Sequence, residues 1–122
     1  MSRAILLVDH GSRRPAANDQ LEEVARRVRE RQPGQLVVTA HLEIAEPDIP
    51  AGIAACAEAG ATEIVVHPYF LGPGRHTSED IPRIVEAARA RHPGVDIRIS
   101  DPLGVHDKLA DVILERVEAA RR

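Results

Sequence analysis

Aromatic residues are nearly absent: the chain of 122 residues has one Tyr, one Phe and no Trp. Its core must therefore be aliphatic, and an apolar content of 43% supplies enough Val, Ile, Leu and Ala for a globular fold. Cysteine occurs once, as Cys56, which excludes an internal disulfide and a multi-cysteine metal site and suits a reducing cytoplasm. Excess positive charge is also missing. Sixteen Lys and Arg stand against nineteen Asp and Glu, for a net charge of -3, with no basic stripe, so a nucleic-acid partner is not expected. Long apolar runs are lacking too. The first, Ala4 to Val8, is too short for a signal peptide or a membrane span, so no membrane partner is expected.

What remains is a regular alternation. Ala4 to Val8, Leu36 to Leu42 and Ile64 to Phe70 are short continuous apolar runs, as expected of parallel strands covered on both faces. Val95 to Ser100 alternates instead, with Val95, Ile97 and Ile99 against Asp96, Arg98 and Ser100, as an edge strand would. Between them lie helical spacings: Leu21, Val24, Ala25 and Val28; Ile53, Cys56, Ala57 and Gly60; Ile81, Ile84, Val85 and Ala88. The last helix carries Leu109, Val112, Ile113 and Val117. Pro33-Gly34, Gly60 and Pro93-Gly94 mark the ends of the first three helices. Short connections and the length point to one α/β domain over residues 1–122. The order βαβαβαβα predicts a flavodoxin-like three-layer sandwich with a four-stranded parallel sheet, order 2-1-3-4. Ligands of such sheets bind beyond the carboxyl ends of the strands, at the switch point between strands one and three.

The polar residues out of keeping with the pattern collect at those carboxyl ends. Strand one runs into Asp9-His10-Gly11-Ser12-Arg13-Arg14, strand two into His41-Leu42-Glu43, and strand three into Gly72-Pro73-Gly74-Arg75-His76. His10 and His76 follow the two strands expected at the centre and could converge. His41 and Glu43 are two apart on strand two, so their side chains share a face. Imidazole and carboxylate suit divalent first-row metals, and two His and one Glu from three loops would leave coordination positions open, as catalytic sites do. The plain alternative is that His10 bonds a loop carbonyl and Glu43 is a solvated strand end. Arg13, Arg14 and Arg75, with Ser12 and Gly74 beside them, are candidates for contact with an anionic substrate, the arginines through forked hydrogen bonds. Taken singly, each arginine is equally well read as solvated surface. Thr77, Ser78 and Asp80 offer helix-capping chemistry just past His76. His67 is expected to be a satisfied sheet histidine, His92 to complement a helix C-terminus, His106 to be solvated at a helix start, and Cys56 to pack in the core.

Three blocks then carry a resemblance. Asp9-His10-Gly11-Ser12-Arg13, Leu42-Glu43-Ile44-Ala45-Glu46-Pro47, and His67-Pro68-Tyr69-Phe70-Leu71-Gly72-Pro73-Gly74-Arg75-His76 with Glu79-Asp80-Ile81-Pro82 resemble the short sirohydrochlorin chelatases of the CbiX/SirB family. The resemblance runs from the first strand to the last helix. It implies the class II chelatase fold and ATP-independent insertion of cobalt(II) or iron(II) into sirohydrochlorin, for cobalamin or sirohaem biosynthesis. Some archaeal relatives insert nickel. It implies no organic cofactor, a divalent metal as substrate, and a homodimer for half-length members where longer relatives hold two units in one chain. The family's metal-handling residues map onto His10, Glu43 and His76, with Glu43 either a ligand or an acceptor of a pyrrole proton. His41 stands where relatives usually carry an apolar or aromatic residue. Two other readings remain open: a tetrapyrrole or metal carrier without turnover, and a phosphohistidine-type phosphatase with His10 as nucleophile and Arg13 as phosphate clamp.

Overall fold

A computed structural model describes residues 2–72, 74 and 79–122. Its elements alternate as the sequence pattern expects: β1 (Arg3–Asp9), α1 (Pro15–Arg31), β2 (Leu36–His41), α2 (Ile49–Glu58), β3 (Glu63–Pro68), α3 (Ile81–Arg91), β4 (Asp96–Ile99) and α4 (Asp107–Ala120). Local chemistry sets the helix ends. The first three helices each carry proline in the first turn, where a missing N–H costs nothing. Asp48 caps α2 by accepting a hydrogen bond from the Ala51 amide at 3.0 Å. His106, expected to be simply solvated, caps α4: its Nδ1 accepts from the Lys108 amide at 3.0 Å while the residue stays exposed. Thr77 and Ser78 lie outside the described residues, and Asp80 at the head of α3 makes no side-chain cap bond.

The strands form one parallel sheet in the order β2-β1-β3-β4. Strand alternation divides its residues between two layers. Leu6, Val8, Ile64, Val66 and Ile97 face α2 and α3 and pack with Ile49, Ile53, Cys56, Ile81 and Val85. Leu7 and Val37 face α1 and pack with Leu21 and Ala25. Both edge strands are guarded in the same way: the Arg29 guanidinium donates twice to the Val37 carbonyl of β2, and the Arg89 guanidinium twice to the Ile97 carbonyl of β4. These forks occupy backbone acceptors that another chain's strand could otherwise use.

Two features depart from the sequence pattern. The apolar run through β3 suggests cover on both faces, yet its burial alternates, with Ile64, Val66 and Pro68 buried and Glu63, Val65 and His67 only partly so. The reason is α4. It keeps its amphipathic stripe but contributes no buried residue, leaving the α1 side of β3 uncovered. No helix among the described residues is long and apolar enough to cross a membrane.

Close packing of α2 on the sheet depends on a residue without a side chain. A Cβ at Gly52 would lie 2.8 Å from Leu6 Cδ1 and 3.0 Å from the Ala40 Cβ. Gly52→Val is expected to force the helix outward and cost about 1–3 kcal/mol, as overpacking does. Urea unfolding measures it, and undiminished stability would refute the close approach.

His67 yields a pH prediction. Its Nδ1 lies 2.8 Å from the Ser100 hydroxyl oxygen, and burial holds the imidazole below its ordinary value of 6.5. The unfolded chain therefore takes up this proton first as pH falls, so the stability tied to His67 is present above 6.5 and is lost on acidification below it. His67→Gln is expected to flatten the stability profile below about pH 6.5. Thermal melts of both proteins across that range test this, and parallel profiles would contradict it.

Candidate functional site

The switch point between β1 and β3 is where neighbouring loops diverge and a crevice opens. A cleft of about 280 Å³ lies there, lined by Asp9, His10 and Gly11 after β1, by Tyr69 and Phe70 after β3, and by Asn18 and Leu21 of α1. His10 is exposed at its mouth, with its imidazole edge-on to Phe70 at a centroid distance of 4.4 Å and an angle of 66°. That contact restricts the ring's orientation without using its nitrogens.

A backbone joint brings the second candidate alongside. Beyond the last paired residues, the Leu42 amide donates to the Asp9 carbonyl at 2.8 Å and the Glu43 amide to the His10 carbonyl at 3.0 Å. His10 and Glu43 are thereby tied to one another, although 33 positions separate them. Glu43 does not reach this place by strand alternation with His41, as the sequence pattern suggests. β2 ends at His41, and Glu43 sits exposed in a bend. The bend includes Ile44 at a φ of 73° and returns to the strand end through a bond from the His41 amide to the Pro47 carbonyl. The turn of the chain, and not the pleat, sets where Glu43 goes.

The joint needs glycine at position 11. Gly11 has a φ of 91°, and a Cβ there would stand 1.9 Å from the Glu43 carbonyl oxygen. Asp9 braces it from beneath: Oδ1 accepts from the Gly11 amide at 3.1 Å and from His41 Nδ1 at 2.5 Å. His41 is only 5% exposed, so its ring is a support inside the loop junction. Asn18, which the sequence pattern did not single out, clamps the next residue. Its Oδ1 accepts from the Ser12 amide at 2.9 Å, and its Nδ2 donates to the Ser12 carbonyl at 2.7 Å. The Ser12 hydroxyl accepts from the Arg14 amide at 3.0 Å, so this candidate substrate contact also shapes its own loop. No simple signal marks Asn18: it lies six residues from its partner, on a helix surface.

Arg13 and Arg14 are exposed, and neither takes part in an ion pair among the described residues, whereas Arg26, Arg29 and Arg89 are each paired with a neighbouring acid. Gly74 is exposed, with open space where a Cβ would project. Arg75 and His76 lie outside the described residues, and with them the expected meeting of His10 and His76. Among the described residues no three His, Cys, Asp or Glu side chains form a metal site. Cys56 is no candidate. It is fully buried, and burial pushes its thiol up to about 11.

An open parallel sheet of flavodoxin-like order, with an exposed imidazole at its switch point, defines an α/β protein with a crevice at the carboxyl edge. The chain belongs to the CbiX family, whose model matches residues 4–120. It is 41% identical to a chloroplastic sirohydrochlorin ferrochelatase of Arabidopsis thaliana over 93% of this chain and 51% of that protein. It is 32% identical to a sirohydrochlorin cobaltochelatase of Methanococcus maripaludis over 93% of this chain and 96% of that protein. The crystal structure of the sirohydrochlorin chelatase SirB from Bacillus subtilis subspecies spizizenii in complex with cobalt superposes with a TM-score of 0.90 at 30% identity, over 98% of this chain and 51% of that one. The chain thus spans about half the length of two of these relatives and nearly all of the third.

Gly11→Ala tests the joint. The added methyl cannot coexist with the Glu43 carbonyl, so the two loops must separate. The expected result is a stability loss of about 1–3 kcal/mol, from strain and the broken bonds. Chemical denaturation reads it, and an alanine variant as stable as the parent would show that the close approach is not required.

Proposed function

We propose that this chain inserts cobalt(II) or iron(II) into a sirohydrochlorin-type tetrapyrrole, with His10, Glu43 and His76 as the residues that handle the metal. The observation that supports the reading is the backbone joint that ties Glu43 to His10, a residue lining the switch-point cleft, in a chain of the CbiX family. Metal and tetrapyrrole are both substrates, and the chemistry calls for no organic cofactor. Nickel(II) fits the same donor set, because imidazole and carboxylate accept all three ions.

Insertion needs three things of the protein: it must replace water around the ion, accept two pyrrole protons, and present the ion to one face of the ring. His10 can bind the ion as a neutral imidazole, and Phe70 keeps that ring from turning away. Acid weakens such binding because protons compete for the imidazole nitrogen. Glu43, exposed on the same joint, can complete the ion's coordination or accept a pyrrole proton, directly or by way of a water. The tetrapyrrole carries carboxylates around its rim. Arg13 and Arg14, exposed and without an acid partner among the described residues, would meet them, with Ser12, Gly74 and Arg75 as further contacts. Two copies working as a twofold dimer would supply the second wall that one unit lacks for a large macrocycle.

The test combines two variants with cobalt(II) titration and anaerobic insertion assays. His10→Ala is expected to abolish insertion with an unchanged circular dichroism spectrum. Glu43→Gln is expected to weaken cobalt(II) binding if Glu43 is a ligand. If it is a proton acceptor, affinity is kept and the rate falls by about 10²–10⁴-fold, as for lost general-base assistance. Full activity in both variants would overturn the assignment. Stoichiometric binding of metal and tetrapyrrole without turnover in the parent would make the protein a carrier.

A further inference from the structure

The cleft at the switch point is smaller than the substrate proposed for it. Its volume of about 280 Å³ falls below the span of roughly 300–1,000 Å³ that encloses drug-sized ligands. A tetrapyrrole is larger than such a ligand, so the ring itself has to lie outside, at the mouth where His10 is exposed. What fits inside is one arm of its rim, a short methylene stem that ends in a carboxylate.

The walls suit both parts of such an arm. Ala17 and Leu21 of α1, with Tyr69 and Phe70 after β3, offer apolar surface to the stem. Two donors on these walls are unspent: the side-chain amide of Gln20 and the hydroxyl of Tyr69 line the cleft, and neither makes a hydrogen bond among the described residues. Asn18, by contrast, has both ends of its amide committed to Ser12. Tyr69 is firmly seated. Its amide donates to the Val8 carbonyl at 2.7 Å, and its side chain packs against the cluster of Leu7 and Leu21. No buried side-chain nitrogen or oxygen among the described residues lacks a partner, so the unbonded hydroxyl of this half-buried tyrosine is open to solvent. Asp9 is the one acid among the described lining residues, and its Oδ1 is already shared by the Gly11 amide and the His41 ring.

We propose that Gln20 and Tyr69 bind substrate: the Gln20 amide and the Tyr69 hydroxyl donate to the carboxylate of one tetrapyrrole arm lying in the switch-point cleft, with the ring at the mouth beside His10. Hydrogen bonds to an ionised acceptor are roughly twice as strong as neutral ones, so two such donors discriminate a carboxylate from a neutral substituent. The metal at the ring's centre and one arm in the cleft are two fixed points, which stop the ring from turning in its plane. Arg13 and Arg14 are left for other arms. The subsite rests on the tetrapyrrole reading above, but it concerns binding and is measured without turnover.

Paired charge substitutions test it, read by absorbance titration of the metal-free protein with sirohydrochlorin. Gln20→Glu sets a like charge against the arm and is expected to weaken binding at least about tenfold, from repulsion and a lost charged hydrogen bond. Gln20→Lys is expected to keep or tighten it. Tyr69→Phe keeps the packed ring and should weaken binding about 3–30-fold. Cobalt(II) affinity should stay at the parent value in all three. Gln32, the exposed C-cap of α1, supplies the control. It lies about 18 Å further along by the helix rise. At physiological salt Gln32→Glu and Gln32→Lys should change binding less than about twofold, because the charge is screened over that distance. The subsite is overturned if Gln20→Glu or Tyr69→Phe binds as the parent does, if the two Gln20 variants shift affinity in the same direction, or if the Gln32 pair shifts it as much. A parent that binds sirohydrochlorin without insertion would be a carrier, and the same titrations would then support or overturn the subsite. A parent that does not bind it would remove the function and the subsite together.

Discussion

Two parallel strands diverge beyond their last shared hydrogen bond unless something holds them, and here the holding is done by the backbone of the site itself. The bond from the Glu43 amide to the His10 carbonyl extends the β1–β2 pairing one step past the strands. It can form only because Gly11 lets the Glu43 carbonyl pass where a side chain would stand. Asp9 then ties the glycine amide and the buried His41 ring to one carboxylate oxygen. A polar group this far inside the protein is costly unless bonded, and each bond it makes removes a freedom from the loop. The joint is therefore both the end of the fold and the base of the cleft.

That arrangement separates support from chemistry. Asp9, His41 and Asn18 spend their hydrogen bonds on backbone or on each other. The exposed groups, His10, Glu43, Arg13 and Arg14, stand on the supported backbone. The proposed metal site would gain from such separation, because ligands must be held before the ion arrives and a large ring must still approach from solvent. Phe70, the chain's one phenylalanine, is placed against His10, where a flat apolar ring limits rotation without competing for the imidazole nitrogens.

The uneven covering of the sheet follows from the same economy of contacts. α2 and α3 bury one face through a close-packed aliphatic cluster, while α1 alone serves the other. In a four-stranded sheet one helix cannot span that face, and the β3 side stays open while α4 stands apart. Each edge strand, by contrast, has one carbonyl taken up by an arginine fork, Val37 in β2 and Ile97 in β4.

What the sequence determined by itself was everything governed by near neighbours. Alternating and helical spacings set the eight elements. Prolines and glycines set the helix ends, and short connections forced parallel pairing in the order seen. The strand-end position of His10 was legible for the same reason. Its block, with those of Glu43 and His76, was legible as a family pattern. Only the tertiary structure decided the rest. His41 proved to be a brace because its partner, Asp9, lies 32 positions away across a strand pair. Glu43 left the strand because the Ile44 turn and the return to Pro47 override the pleat's alternation. The stripe of α4 reads as core in any window of sequence, yet it lies exposed. Amphipathic spacing says that a helix has an apolar face. Which surface meets that face depends on where the connection before it is held, and bonds between distant segments hold it.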